Sequence, residues 1–190
     1  MPERSERPGP SNSRRVAADI LRRWLVHGDF PDALVEAVTG DRAFIMEVVY
    51  GIVRRKRTLE WILDQYAESR IPSEILPCLF VGLYQALFMD SVADYAVVNE
   101  TVEAAKTAGH EKMSGFINAV LRRALREKVT ILASLKRQPV PVRESHPNLL
   151  WTRWVDQFGA ARAEALCQWN NSRPQVALRP DLNRISVQAF

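Results

Sequence analysis

The sequence is poor in the residues that form disulfides and bind metals. It has two cysteines and three histidines among 190 residues. Cys78 and Cys167 lie far apart, and neither stands at metal-ligand spacing from another cysteine or a histidine. We therefore expect no disulfide framework and no metal site. We interpret both cysteines as small apolar residues in a reducing compartment.

Long apolar runs and glycine-rich loops are also missing. No uncharged run approaches the length that is needed to cross a bilayer, and residues 1–15 lack the apolar segment of a secretory signal. No Gly-x-Gly-x-x-Gly or similar loop is present that could hold a nucleotide-like cofactor. The sequence therefore predicts a cytoplasmic protein with no membrane partner and with no catalytic, metal-binding or cofactor-binding residue of its own.

Basic side chains are present and form clusters. The formal net charge is +4, and the whole excess falls in residues 131–190, because residues 1–130 contain equal numbers of basic and acidic side chains. Neighbouring basic residues nevertheless occur at positions 14–15, 22–23, 54–57 and 122–123. Such clusters are typical of contacts with nucleic-acid phosphates, although each cluster by itself also fits a solvated helix face or helix end.

The apolar spacing predicts helices along most of the chain. Residues 112–128 carry an apolar stripe on one side of a helix and arginines on the other side. Residues 74–90 are almost uniformly apolar apart from Gln85, which is typical of the central helix of a bundle. Further helices are predicted over 13–27, near 34–38, over 41–55, 58–68 and 95–108, and in two segments between 145 and 171.

Three segments depart from this helical pattern. Residues 1–12 are predicted to be a disordered leader, because proline, serine and charged residues dominate there. Residues 131–144 are predicted to be a linker that follows a short helical extension. Val176 and Leu178 alternate with polar neighbours, which predicts the first strand of an incomplete α/β domain within residues 145–190.

Two predictions concern contacts between helices. Gly51 weakens its own helix, which indicates that another helix approaches closely there. Glu100 and Glu103 lie one turn apart, and we expect them to pair with Arg122 or Arg123 on the neighbouring antiparallel helix.

Several segments, in this order, resemble the NusB family of helical RNA-binding domains. They read SRRVAADIL, DRAFIMEVVYGIVRR, LFVGLYQALF, AVVNETVEAAK and FINAVLRR. Two later segments, SHPNLLWTRWVDQFG and QWNNSRPQVALRP, resemble the connector of RsmB/Sun-type RNA methyltransferases. The resemblance covers about residues 13–180. It implies an all-α NusB-like domain over 13–130, followed by a helical connector and the start of a truncated methyltransferase subdomain over 145–190.

The resemblance also implies a reaction. RsmB/Sun-type enzymes use S-adenosylmethionine to methylate C5 of a cytosine in 16S ribosomal RNA, and their catalytic domain carries a glycine-rich loop and two cysteines. Neither feature has a counterpart here, so we expect the chain alone to be inactive and the catalytic domain to be supplied in cis. The oligomeric state stays open.

The preferred interpretation is an RNA-binding domain that grips and orients 16S rRNA. It assigns phosphate contacts to seven arginines: Arg14, Arg15, Arg54, Arg55, Arg57, Arg122 and Arg123. The alternative is a stand-alone transcription antitermination module that binds a short RNA and a ribosomal protein, although such a factor is expected to end near residue 140. A helical bundle whose arginines only solubilise it is the simplest remaining option.

Overall fold

The computed structural model describes residues 10–66 and 71–172, and within these ranges it is entirely helical, with no strand. No helix in these ranges has both the length and the apolar character that a membrane crossing requires. The helices are α1 Pro10–His27, α2 Pro31–Glu36, α3 Arg42–Asp64, α4 Leu76–Phe88, α5 Asp94–Thr107, α6 Ser114–Arg126, α7 Lys128–Lys136, α8 Val140–Arg143, α9 Asn148–Phe158 and α10 Ala160–Asn171, and a 3₁₀ turn, Glu111–Met113, precedes α6. The prediction of an all-α bundle is confirmed for these residues, whereas the strand predicted at 176–178 lies outside them.

Helix α4 forms the centre of the bundle. It contacts α1, α3, α5 and α6, and every residue from Pro77 to Leu87 is buried. Pro77 stands in the first turn, where the missing backbone N–H costs no intrahelical hydrogen bond. The one amide side chain of α4, Gln85, is fully buried, and its amide donates to the Val81 carbonyl at 2.7 Å. The apolar composition of this segment therefore predicted its central position correctly.

Glycines allow α4 to approach two neighbouring helices closely. A Cβ atom on Gly51 of α3 would lie 2.0 Å from Cζ of Tyr84. A Cβ atom on Gly82 would lie 2.5 Å from a methyl carbon of Leu121 on α6. The close approach predicted at Gly51 is confirmed, and the Tyr84 hydroxyl that fills this space donates to the Glu47 carboxylate at 3.1 Å.

Helix α3 is longer than the sequence predicted. We expected separate helices over 41–55 and 58–68, with the basic run at the break between them. Instead a single helix extends from Arg42 to Asp64, because Thr58 and Leu59 are completely buried and no proline interrupts the run. The basic run therefore lies within the helix rather than at a break between two helices.

Two predicted segment boundaries also change. Helix α1 begins at Pro10, three residues before the predicted start, while residues 1–9 of the predicted leader lie outside the described residues. The predicted linker over 131–144 is largely helical, since α7 and α8 occupy most of it. Ile131, Leu135 and Pro141 are buried there, and Pro139 and Pro141 begin α8 rather than interrupting a helix.

Candidate nucleic-acid interface

The structure divides the seven candidate arginines among three helices with different surroundings. Their burial and their partners decide which of them have exposed guanidinium groups that a phosphate could approach. They are Arg14 and Arg15 on α1, Arg54, Arg55 and Arg57 on α3, and Arg122 and Arg123 on α6.

Arg14 points into the protein. It shares one side of α1 with Ala17, Ala18 and Leu21, and it is only 4% exposed. Its guanidinium carbon lies 5.1 Å from the centroid of the Phe44 ring. Burial lowers the pKa of Arg14 from its usual value, and the nearby charge of Glu100 opposes this shift. This burial leaves Arg14 little surface for the predicted phosphate contact.

Arg15 differs from its neighbour because it lies at the margin of the buried stripe. Its guanidinium donates to the Asp19 carboxylate at 3.3 Å and to the Asn12 side-chain oxygen at 3.0 Å. The Arg15 side chain is 37% exposed. Of the two arginines in this cluster, only Arg15 therefore offers an accessible guanidinium.

The α3 arginines contact the segment comprising residues 140–172, helices α8 to α10, which we call the connector. Arg55 donates to the Arg143 carbonyl at 3.1 Å and lies 3.4 Å from the Glu144 carboxylate. The backbone N–H of Arg57 donates to the Ser145 hydroxyl at 3.0 Å, and its guanidinium donates to the His146 carbonyl at 2.6 Å. These bonds fasten the connector to the middle of α3.

Two neighbours of these arginines complete the attachment. The Thr58 hydroxyl, which is fully buried, donates to the Val142 carbonyl at 2.7 Å. Arg54 donates to the Tyr50 carbonyl within its own helix at 3.2 Å and to the Ser172 carbonyl at the end of α10 at 3.4 Å. The basic run of α3 therefore has intramolecular partners, which the sequence did not indicate.

Glu144 connects three elements within this attachment. Besides its contact with Arg55, its carboxylate accepts a hydrogen bond at 3.0 Å from the Asn171 amide of α10. The same amide donates to the Glu144 carbonyl at 2.9 Å. Next to it, Ser145 has a left-handed backbone with φ of 58°, a conformation that is uncommon for residues other than glycine. The hydrogen bond from Arg57 to Ser145 helps to hold this turn.

The α6 arginines are exposed, and their hydrogen-bond partners lie on their own helix or just beyond its end. Arg122 donates to the Asn118 side-chain oxygen at 3.0 Å, and Arg123 donates to both oxygens of Glu127 at 3.0 and 3.3 Å. The side chain of Arg123 is 48% exposed. The expected pairing of these arginines with Glu100 and Glu103 is wrong, because residues four positions away are within easier reach.

The carboxylates of α5 have other neighbours. Glu103 lies 3.4 Å from the Lys106 ammonium on its own helix, while Glu100 acts on the buried Arg14. As a result, the α5 carboxylates do not pair with the arginines on the outer side of α6. Arg126, which follows Arg122 by one turn and is also exposed, extends this basic surface. Arg122 and Arg126 are four residues apart on one helix, so the sequence alone could have indicated that Arg126 belongs to the same basic surface.

The two cysteines are buried, as expected for small packing residues. Burial raises the pKa of the Cys78 thiol to about 11, with a further contribution from Asp19. Burial also raises the pKa of Cys167, and the charges of Glu144 and Glu164 add to this effect. Both groups therefore hold their protons at neutral pH and are poor nucleophiles.

The sequence pattern of the NusB family matches residues 11–126, which is more than half of the chain. The chain belongs to the NusB family. It is also 34% identical over 180 residues to a probable ribosomal RNA small subunit methyltransferase B of Synechocystis, a match that covers 88% of this chain and 40% of the relative. For ribosomal RNA small subunit methyltransferase B of Pseudomonas putida the identity is 30% over 190 residues, with 96% of this chain and 42% of the relative covered. The chain thus spans about two fifths of the length of these relatives.

The NusB match and the similarity to the longer relatives have different extents. The NusB domain ends at residue 126 and comprises α1 to α6. The similarity to the Pseudomonas putida relative covers 96% of the chain and therefore includes the connector. The predicted family resemblance is confirmed, and the α3 arginines lie where the NusB domain meets the connector.

Proposed function

We propose that this chain is the RNA-binding part of a cytoplasmic methyltransferase that modifies C5 of a cytosine in 16S rRNA. The main support is the extent of similarity: relatives named small subunit methyltransferase B match the connector as well as the NusB domain. The hydrogen bonds that fasten the connector to α3 give this segment a defined position. A stand-alone antitermination module would not require such a connector.

The role of the chain in this proposal is to grip the rRNA backbone and to orient the RNA. Contacts with phosphates position a protein on RNA but carry no sequence information. The exposed guanidinium groups of Arg15, Arg122 and Arg123 are best placed for these contacts. In this proposal the chief role of Arg54, Arg55 and Arg57 is to hold the connector. The connector in turn orients the NusB domain and its bound RNA relative to the rest of the enzyme.

The methyl donor is assigned to another part of the longer protein. S-adenosylmethionine is a nucleotide-like cofactor, which in α/β proteins is typically held by a glycine-rich loop that follows a strand. The described residues contain no strand and no such loop, so they do not fit this cofactor. We therefore assign no step of methyl transfer to residues of this chain, and we place the catalytic domain in cis.

The salt dependence of RNA affinity tests the binding role. The affinity of the 190-residue chain for a 16S rRNA fragment is measured over a range of salt concentrations. Three phosphate contacts predict a slope of log K against log salt of about −2 or steeper, at about 0.7 to 0.9 per contact. The absence of binding at low salt would contradict the proposal and favour a bundle whose arginines only solubilise it.

A further inference from the structure

A cleft of about 220 Å³ opens where the end of α3 meets α6 and α7. We propose that this cleft receives the base of an unpaired nucleotide, while the sugar and phosphate stay outside it. The inference rests on the proposed RNA-binding function, and it assigns to one site a contact with a base rather than with the backbone. The walls of the cleft, its unpaired polar group, its size and its surrounding charge support this assignment.

The walls of the cleft suit a flat ring. The guanidinium carbon of Arg123 lies 4.7 Å from the centroid of the Tyr66 ring, so two planar groups already stack at its edge. The indole of Trp61 forms another wall, and the buried Ile62 and Ile131 line the same cleft. Aromatic rings and arginine guanidinium groups are the side chains on which unpaired bases stack.

One polar group in this region has no partner. The Tyr66 hydroxyl oxygen is inaccessible to solvent and makes no hydrogen bond to any described residue. Leaving such a group unsatisfied costs free energy, and a polar ligand could remove that cost. Burial, followed by the nearby Glu127 carboxylate, raises the pKa of Tyr66 to about 12, so the hydroxyl keeps its proton and can donate. A base edge that displaces the groups now covering this hydroxyl offers the necessary acceptor, which a purely apolar ligand lacks.

The size and the charge of the site favour a nucleotide over other flat ligands. Its volume is below the ~300 to 1,000 Å³ of typical small-molecule pockets, which suits a single ring system rather than an entire nucleotide. Arg123 borders the cleft, and with the exposed Arg122 and Arg126 it forms the basic surface of α6. A nucleotide whose base enters the cleft therefore has cations nearby for its phosphate. The Glu127 carboxylate binds Arg123 and holds this guanidinium against Tyr66.

The first test compares two RNA backbones with the unmodified protein. The affinity of the chain is measured for an unstructured oligouridylate of about ten nucleotides and for an abasic oligonucleotide of the same length and charge. Stacking of one base predicts that the abasic strand binds about tenfold more weakly, with a similar salt slope. Equal affinities would overturn the inference. Equal affinities are also the expected result if the cleft accepts a protein side chain instead of a base.

The second test locates the contact on the protein. Trp61→Leu is expected to weaken oligouridylate binding about tenfold and to abolish the difference between the two strands. Trp169→Leu is the matched control, because Trp169 is 73% exposed on α10 and does not line the cleft. Tyr66→Phe removes only the hydroxyl, so it tests the hydrogen bond with little change in packing. Circular dichroism verifies that each variant is folded.

The outcomes separate this inference from the proposed function. If the chain binds both strands equally and with a steep salt slope, the base-binding cleft is refuted while the RNA-binding function stands. If neither strand nor the 16S rRNA fragment binds at low salt, both proposals fail. Loss of binding in Trp169→Leu as large as in Trp61→Leu would also refute the assignment to this cleft.

Discussion

The Arg55 guanidinium lies 3.4 Å from the Glu144 carboxylate, although the two residues are 89 positions apart in the chain. The side chains are 25% and 14% exposed, so this pair is better shielded from water than an ordinary surface pair. It joins the NusB domain to the connector. The sequence suggested this arginine cluster as an RNA contact. In the structure the cluster also attaches the connector to the NusB domain.

A double-mutant cycle at Arg55 and Glu144 tests this fastening. We expect Arg55→Gln and Glu144→Gln each to lower the free energy of unfolding, and we expect a coupling energy of about 1 kcal/mol from urea denaturation. The control cycle uses Arg15→Gln and Asp19→Asn, a more exposed pair on one helix, for which about 0.3 kcal/mol is expected. A coupling at Arg55 and Glu144 no larger than the control value would show that the pair does not hold the connector.

Substitution of Gly51 by alanine tests the close approach of α3 and α4. Alanine in a helix is normally favourable by about 0.5 to 1 kcal/mol, but here its Cβ would lie 2.0 Å from the Tyr84 ring. We expect Gly51→Ala to destabilise the fold by about 1 to 3 kcal/mol. Gly115→Ala on α6 is the matched control, because its Cβ would meet no atom within 4 Å. This control should be neutral or stabilising, and thermal unfolding of both variants gives the comparison.

The raised pKa of Cys78 predicts a loss of stability in alkali. The pKa rises from 9 to about 11 on folding, so between these values the unfolded chain releases the proton while the folded chain retains it. The contribution to stability is therefore complete below pH 9, and it is lost as the pH rises towards 11. From about pH 8 to about pH 10.5 the wild type should lose about 2 kcal/mol more than Cys78→Ala in urea denaturation. An equal loss in both proteins would show that Cys78 does not cause the effect.

The elements that the sequence predicted well are those determined by local spacing. The uniformly apolar composition of 74–90 could only be accommodated in the bundle centre, and α4 is found there. The apolar stripe of 112–128 likewise gave α6 its buried side and its exposed arginines. Gly51 indicated a close helix contact, since a glycine within a helix requires a reason.

The parts that the sequence did not predict depend on partners far along the chain. The bonds of the α3 arginines to the connector lead to residues 88 to 118 positions away, a separation at which spacing carries no information. The burial of Arg14 is a different case. Its i+3, i+4 and i+7 neighbours Ala17, Ala18 and Leu21 are apolar, so the helical period already placed Arg14 on the buried side. Because Arg14 and Arg15 are adjacent, we interpreted them together as one basic cluster and overlooked the helical period.

The most direct measurement is the salt dependence of 16S rRNA affinity in two double variants of equal charge change. Arg122→Gln with Arg123→Gln removes two exposed guanidinium groups from α6, and Arg153→Gln with Arg162→Gln removes two exposed guanidinium groups from the connector. The account predicts that the α6 variant has a slope of log K against log salt that is shallower by about 1.4, whereas the connector variant keeps the wild-type slope. An unchanged slope in the α6 variant, or the same decrease in both variants, would contradict it.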